Sequence, residues 1–206
     1  MGGINVYLQQ KSALFRRMPQ SITRLLDQPW LLRLAGRFTG STDPQSLGPL
    51  TVSMLQGEDG RQRKEFDKLI EWLEHDVRPQ LVHLSNLLLA GLAEPIARRL
   101  DVPVVASLTG ADVFLEELPK AYRAQSRKLM AGASRRMARL VALCDSYADF
   151  VADYLAIDRS RIDVVQPGIN LEGHADRPPA LPAEAGDSPN RGLTIGFLSR
   201  ICPQKG

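Results

Sequence analysis

From residue 50 onward, short apolar runs alternate with stretches whose apolar residues fall three and four apart, the first suiting buried strands and the second helices. Residues 50–55 (Leu-Thr-Val-Ser-Met-Leu) read as a strand, and Gly57-Glu-Asp-Gly60 as a turn. Phe66, Leu69, Ile70 and Leu73 then predict a helix over 61–76. Residues 81–84 predict a short buried strand, and 87–100 a helix whose Ala90, Gly91 and Ala93 suit close packing on a sheet. A strand over 102–108, a helix over 119–138 and a strand over 139–143 follow. Ser146 is placed to cap a helix running to about Leu155, and 161–165 read as a further strand. Glu116 and Glu117 read as the solvated opening of a helix.

Near-continuous apolar strands alternating with helices predict an α/β fold, a Rossmann-like parallel sheet with helices on both faces. In such sheets ligands bind beyond the carboxyl ends of the strands. That rule singles out residues 83–86, 109–112, 144–146 and 167–170. Residues 172–192, rich in Pro, Ala, Asp and Gly, read as a linker, after which 193–198 (Leu-Thr-Ile-Gly-Phe-Leu) read as another buried strand. The expected division is therefore a domain over 1–171, the linker, and the first strand and loop of a second Rossmann-like domain over 193–206. At the other end, Gly2-Gly3 is a pair of the kind that follows a strand and turns bare backbone N–H groups toward a ligand. No strand precedes it. Either the pair is a flexible start, or the chain begins downstream of a first strand.

Composition narrows the partners. Hydrophobic content of 44% and charged content of 24% are ordinary for a globular protein. The net charge of +3 draws on pairs such as Arg98-Arg99 and Arg135-Arg136, which read as solvated helix faces. No basic cluster is interleaved with aromatics, so nucleic acid is not an expected partner. The basic excess leaves open attraction to anionic substrates or peripheral contact with an anionic membrane surface. Cys144 and Cys202 form no CxxC, and His75, His83 and His174 lack metal-ligand spacing. A reduced, cytoplasmic setting is expected, with no signal-peptide pattern and no apolar run long enough to span a bilayer.

Three short motifs occur in order. Gly2-Gly-Ile-Asn-Val-Tyr7 opens the chain, Val164-Val-Gln-Pro-Gly-Ile-Asn170 follows the last strand of the first domain, and Ile195-Gly-Phe-Leu-Ser-Arg-Ile-Cys-Pro-Gln-Lys-Gly206 closes the chain. They resemble, in turn, the Gly-Gly-x-x-x-Tyr loop, the Val-Ile-Pro-Asn-Gly-Val-Asp loop and the strand-Gly-Arg-x-x-x-x-Lys-Gly segment of family 4 glycosyltransferases, enzymes of the GT-B fold. The resemblance implies transfer of a sugar from a nucleotide-sugar donor to a hydroxyl acceptor (a sugar, a lipid-linked or a small molecule), with retention of anomeric configuration. It implies a chain truncated at both ends and inactive by itself. The alternative is a non-catalytic α/β module that binds a nucleotide or small molecule.

An Arg and a Lys five residues apart on a loop leaving a parallel strand are placed to reach a diphosphate together. The resemblance implies that Arg200 and Lys205 hold the donor diphosphate, that the amides of Gly2 and Gly3 approach it from the opposite wall, and that Asn5 points toward the acceptor. Thr109 stands where many members carry His, and is expected on the acceptor side. Asp112, just past a strand end, is a candidate for binding acceptor hydroxyls in a catalytic role, or for capping the next helix. His83 is either a catalytic histidine or a buried structural one. No Asp-x-Asp metal motif occurs. No metal or other cofactor is expected, because protein cations and helix dipoles neutralise the diphosphate in such enzymes.

Overall fold

The computed structural model describes residues 10, 12 and 44–172. The chain divides after Pro167 into two compact units, Met1–Pro167 and Gly168–Gly206. The first unit contains a four-stranded sheet whose strands stand in sequential order. They are β1 (Val82–Leu84), β2 (Val104–Ser107), β3 (Arg139–Ala142) and β4 (Ile162–Val164). All three pairings are parallel, with Leu84 beside Ala106, Ala106 beside Leu140 and Leu140 beside Ile162. The fold is α/β and Rossmann-like.

Those registered residues form one face, and Leu84, Val104, Ala106, Leu140, Ala142 and Ile162 are all buried on it. Helices α3 (Ala93–Leu100), α4 (Ala111–Glu116), α5 (Lys120–Ser134) and α6 (Asp145–Leu155) make the crossovers between the strands. Right-handed crossovers between sequential neighbours carry their helices to the same side of a sheet. The opposite face shows His83, Val105, Ser107, Arg139, Val141 and Asp163, each half-buried or exposed. Polar residues alternate with apolar ones there, and the Arg139–Asp163 pair bridges β3 and β4, with Arg139 Nε 2.7 Å from Asp163 Oδ2.

Residues 50–55 are not a strand. They complete helix α1 (Pro44–Leu55), and their buried residues explain why. Gly48, Thr51, Val52 and Leu55 are buried at helical spacing, and the Thr51 hydroxyl donates to the Leu47 carbonyl one turn back at 2.9 Å. Pro49 lies inside the helix and disguises it, since proline removes one backbone donor. Gly48 meets the Tyr122 ring of α5, where an added Cβ would stand 2.5 Å from Cδ2.

The helix expected over 61–76 is α2 (Arg63–Trp72) followed by a wider turn over Leu73–Val77, with Phe66 and Ile70 fully buried. A buried polar cluster ties it down. Ser53 donates to Gln62 Oε1 at 2.6 Å, and Gln62 Nε2 donates to Gln10 Oε1 at 3.1 Å. The helix expected over 87–100 is broken into a tight 3₁₀ segment (Leu87–Leu92) and α3. Pro95 has no N–H for the Gly91 carbonyl and sits in the first turn of α3, the position a helix tolerates best.

Two cap assignments change. Helix α6 starts at Asp145 with Cys144 in the cap position, so Ser146 lies in its first turn. Glu116 ends α4, and the next helix begins after Pro119, beyond the buried Leu118. The arginine pairs are exposed, as expected of solvated helix faces, and three of the four side chains are ion-paired there. Arg98 reaches Glu58 at 2.6 Å, Arg99 reaches Asp67 at 3.0 Å and Arg136 reaches Glu94 at 3.2 Å. Exposed pairs of this kind are screened by solvent and add little to stability. Among the described residues, no helix is long and apolar enough to cross a membrane.

Candidate functional site

The loops leaving β1 and β2 meet through Thr109 and Asn86. Asn86 caps the 3₁₀ segment by accepting from the Leu88 N–H at 2.8 Å, and its Nδ2 donates to Thr109 Oγ1 at 2.9 Å. The Thr109 hydroxyl donates in turn to the Ser85 carbonyl at 2.9 Å. Thr109 is thus an exposed cross-brace between two strand ends. Its hydrogen is committed to the brace, leaving its oxygen open on one side.

Gly110 follows with φ of +81°, a left-handed turn that costs glycine little. The turn aims the Gly110 N–H at the Tyr147 hydroxyl oxygen, 2.9 Å away. Tyr147 lies in the first turn of α6 and donates its own proton to Asp112 Oδ1 in a short hydrogen bond. Asp112 therefore does not cap α4, whose cap position is Gly110. It is a half-buried carboxylate in the first turn, gripped through one oxygen. Burial first, and then the bond to Asp112, push the Tyr147 phenol well above its ordinary ionisation. The loop after β2 and the helix after β3 are joined by this one hydroxyl.

Two further aromatic rings continue down α6. Tyr147 stacks with Phe150 at a centroid separation of 6.0 Å, and Phe150 with Tyr154 at 5.7 Å. Tyr154 donates to Glu116 Oε1 at 2.9 Å, and the Arg127 guanidinium lies 4.6 Å above its ring. Leu87, Thr109, Asp112, Tyr147 and Tyr154 line a small pocket between these loops. Cys144 opens α6, exposed, with its sulfur 3.4 Å from the Ser146 hydroxyl. That hydroxyl first, and then the Tyr147 backbone, hold the thiol below its ordinary value.

His83 does not join this group. It is exposed rather than buried, in the middle of β1 on the face opposite the helices, and its Nε2 lies 2.8 Å from Ser107 Oγ. No described hydrogen bond connects it with Asp112. Beyond Pro167, Asn170 Oδ1 accepts from the Glu172 N–H at 2.9 Å. Gly2, Gly3, Asn5, Arg200 and Lys205 lie outside the described residues. Among the described residues, no group of three or more His, Cys, Asp or Glu side chains is arranged to hold a metal ion. The sequence reading missed Tyr147, Tyr154 and Arg127. The available signal was the Tyr147, Phe150, Tyr154 series, aromatic residues at helical spacing behind a strand end.

Comparison with known proteins agrees with the fold. The family model for Glycosyltransferase Family 4 matches residues 45–172, which include every strand of the sheet. The chain is similar to a D-inositol 3-phosphate glycosyltransferase of Segniliparus rotundus, 28% identical over 227 aligned positions that cover 100% of this chain and 48% of that protein. Proteins of the same description from Salinispora arenicola and Salinispora tropica are each 28% identical over 181 positions. Those alignments cover 82% of this chain and 37% and 35% of the two relatives. The chain spans about half the length of the first relative and less of the other two.

Proposed function

The chain belongs to glycosyltransferase family 4, and from that premise we propose that it forms the acceptor side of an enzyme transferring a sugar from a nucleotide-sugar to a hydroxyl acceptor with retention. The observation that carries this reading is the convergence of Asn86, Thr109, Gly110, Asp112 and Tyr147 at the carboxyl ends of adjacent parallel strands, where α/β sheets bind ligands. An ionised carboxylate accepts hydrogen bonds only, which suits it to orient a hydroxyl that must present its oxygen to the donor sugar.

Three relatives act, by their description, on D-inositol 3-phosphate. A polyol or cyclitol carrying a phosphate is accordingly the acceptor class we propose. Asp112 would take a ring hydroxyl, and Arg127, which lies over the ring of the pocket-lining Tyr154, is the cation assigned to the phosphate. The donor diphosphate is assigned to Arg200 and Lys205, with the Gly2 and Gly3 amides opposite, and no metal is needed to neutralise it. The setting proposed is cytoplasmic.

Incubating the chain with a panel of nucleotide-sugars and inositol 3-phosphate, with released nucleotide as the readout, tests the division of labour. The chain alone is expected to bind acceptor without turnover. Turnover on the order of 1–10 per second, ordinary for an enzyme, would contradict the assignment of this chain to the acceptor side.

A further inference from the structure

We infer that Tyr147 is a positioning residue, one that fixes the Asp112 carboxylate for the acceptor while holding the loop that carries it. The inference rests on the proposed acceptor role of the crevice and goes further, because it names the residue on a different strand–helix unit that sets the geometry. Tyr147 belongs to α6, behind β3, whereas Asp112 and Gly110 belong to the loop and helix behind β2. Its hydroxyl uses both of its capacities at once. It donates to Asp112 Oδ1 and accepts from the Gly110 N–H at 2.9 Å.

The consequences follow from which atoms are occupied. With Oδ1 held by the phenol, the carboxylate cannot rotate freely about its last torsion, and Oδ2 is left to accept from an incoming hydroxyl. The Gly110 amide, turned outward by a positive φ, would otherwise face the crevice as a competing donor. The phenol resists ionisation because of its burial and its carboxylate partner, so it remains a donor throughout the neutral range. A phenylalanine would keep the ring, its stacking on Phe150 and its packing, and would remove only the oxygen that ties the two units together.

Isothermal titration of the chain with D-inositol 3-phosphate, for the wild type, Tyr147→Phe, Asp112→Asn and the double variant, separates the possibilities. Tyr147→Phe is expected to weaken binding about ten- to hundredfold, the scale of one hydrogen bond to a charged group. Asp112→Asn is expected to weaken it at least as much, and the double variant no further, because the tyrosine acts only through the aspartate. Hydrogen exchange at the Gly110 amide gives a second readout without ligand and is expected to speed up in Tyr147→Phe, with a cooperative melt retained. If Asp112→Asn weakens binding while Tyr147→Phe does not, or if the two losses add in full, the positioning role is overturned and the acceptor site stands. If Asp112→Asn leaves binding unchanged, the acceptor role of Asp112 falls and the positioning role falls with it.

Discussion

Tyr154 and Tyr147 show how one side chain reports its surroundings. Burial, and then the hydrogen bond to Glu116, raise the Tyr154 phenol from 10.0 to about 12. Tyr147 is shifted in the same direction beside Asp112. Both side chains are neutral in the fold and resist losing their protons there more than they do in the unfolded chain. The stability they contribute is therefore fully present below pH 10, and it is lost as pH climbs toward and through the folded values. An alkaline absorbance titration should show these two of the chain's four tyrosines ionising late, with the rise for Tyr154 centred near pH 12. Ionisation of every tyrosine near the ordinary value would mean that the Tyr154–Glu116 and Tyr147–Asp112 bonds do not form in solution. At this scale sequence reading reached Asp112 and Thr109 because both follow an apolar run, and residues after strand ends are where such sheets bind ligands. It did not reach Tyr147, whose importance comes from a contact across 35 positions in the chain that periodicity does not encode. His83 shows the limit of the same rule. It is close to a strand end in sequence, but the pleat turns it to the other face.

Packing at the level of elements leaves no room for a side chain where α1 meets the 3₁₀ segment after β1. A Cβ on Gly91 would stand 2.2 Å from the Met54 carbonyl oxygen, and one on Gly57 would stand 2.3 Å from the Gly91 carbonyl oxygen. Backbone is the obstacle in both cases, so relief requires moving whole segments. Gly91→Ala should cost about 1–3 kcal/mol, as overpacking does, and lower the melting temperature by several degrees. Gly132, inside α5, has nothing within 4 Å of the same added atom. Gly132→Ala should instead stabilise by roughly 0.5–1 kcal/mol, the helix preference for alanine over glycine. Thermal melts of the two variants check both signs, and a neutral Gly91→Ala would show that α1 is not packed as described. The strands were read correctly wherever an apolar run is bounded by turn residues, as in 102–108 and 139–143. Residues 50–55 failed because alternation over six positions also fits a helix when Gly48, Thr51, Val52 and Leu55 share a face. The break at Leu92 falls where Pro95 leaves the Gly91 carbonyl without a helical donor, which hydrophobic spacing does not register.

On the scale of the whole molecule, the sheet, its sequential strand order and the family match over residues 45–172 describe a family 4 glycosyltransferase fold, and the acceptor site proposed for it lies at one end of the strands. Three loops contribute to that end. Ser85 and Asn86 follow β1, Thr109 to Asp112 follow β2, and Tyr147 follows β3. On the opposite face of the sheet, the described hydrogen bonds join His83 with Ser107 and Arg139 with Asp163. A titration of the isotope-labelled chain with D-inositol 3-phosphate, followed residue by residue through backbone amide resonances, puts this arrangement to the test. Shifts should cluster at residues 85–86, 109–112 and 144–147, saturate together as one site, and spare the strand residues 83, 105 and 141. Saturable shifts centred on the opposite sheet face, or none at the three strand-end loops at concentrations that saturate binding, would contradict the placement of the acceptor site at the carboxyl ends of the strands.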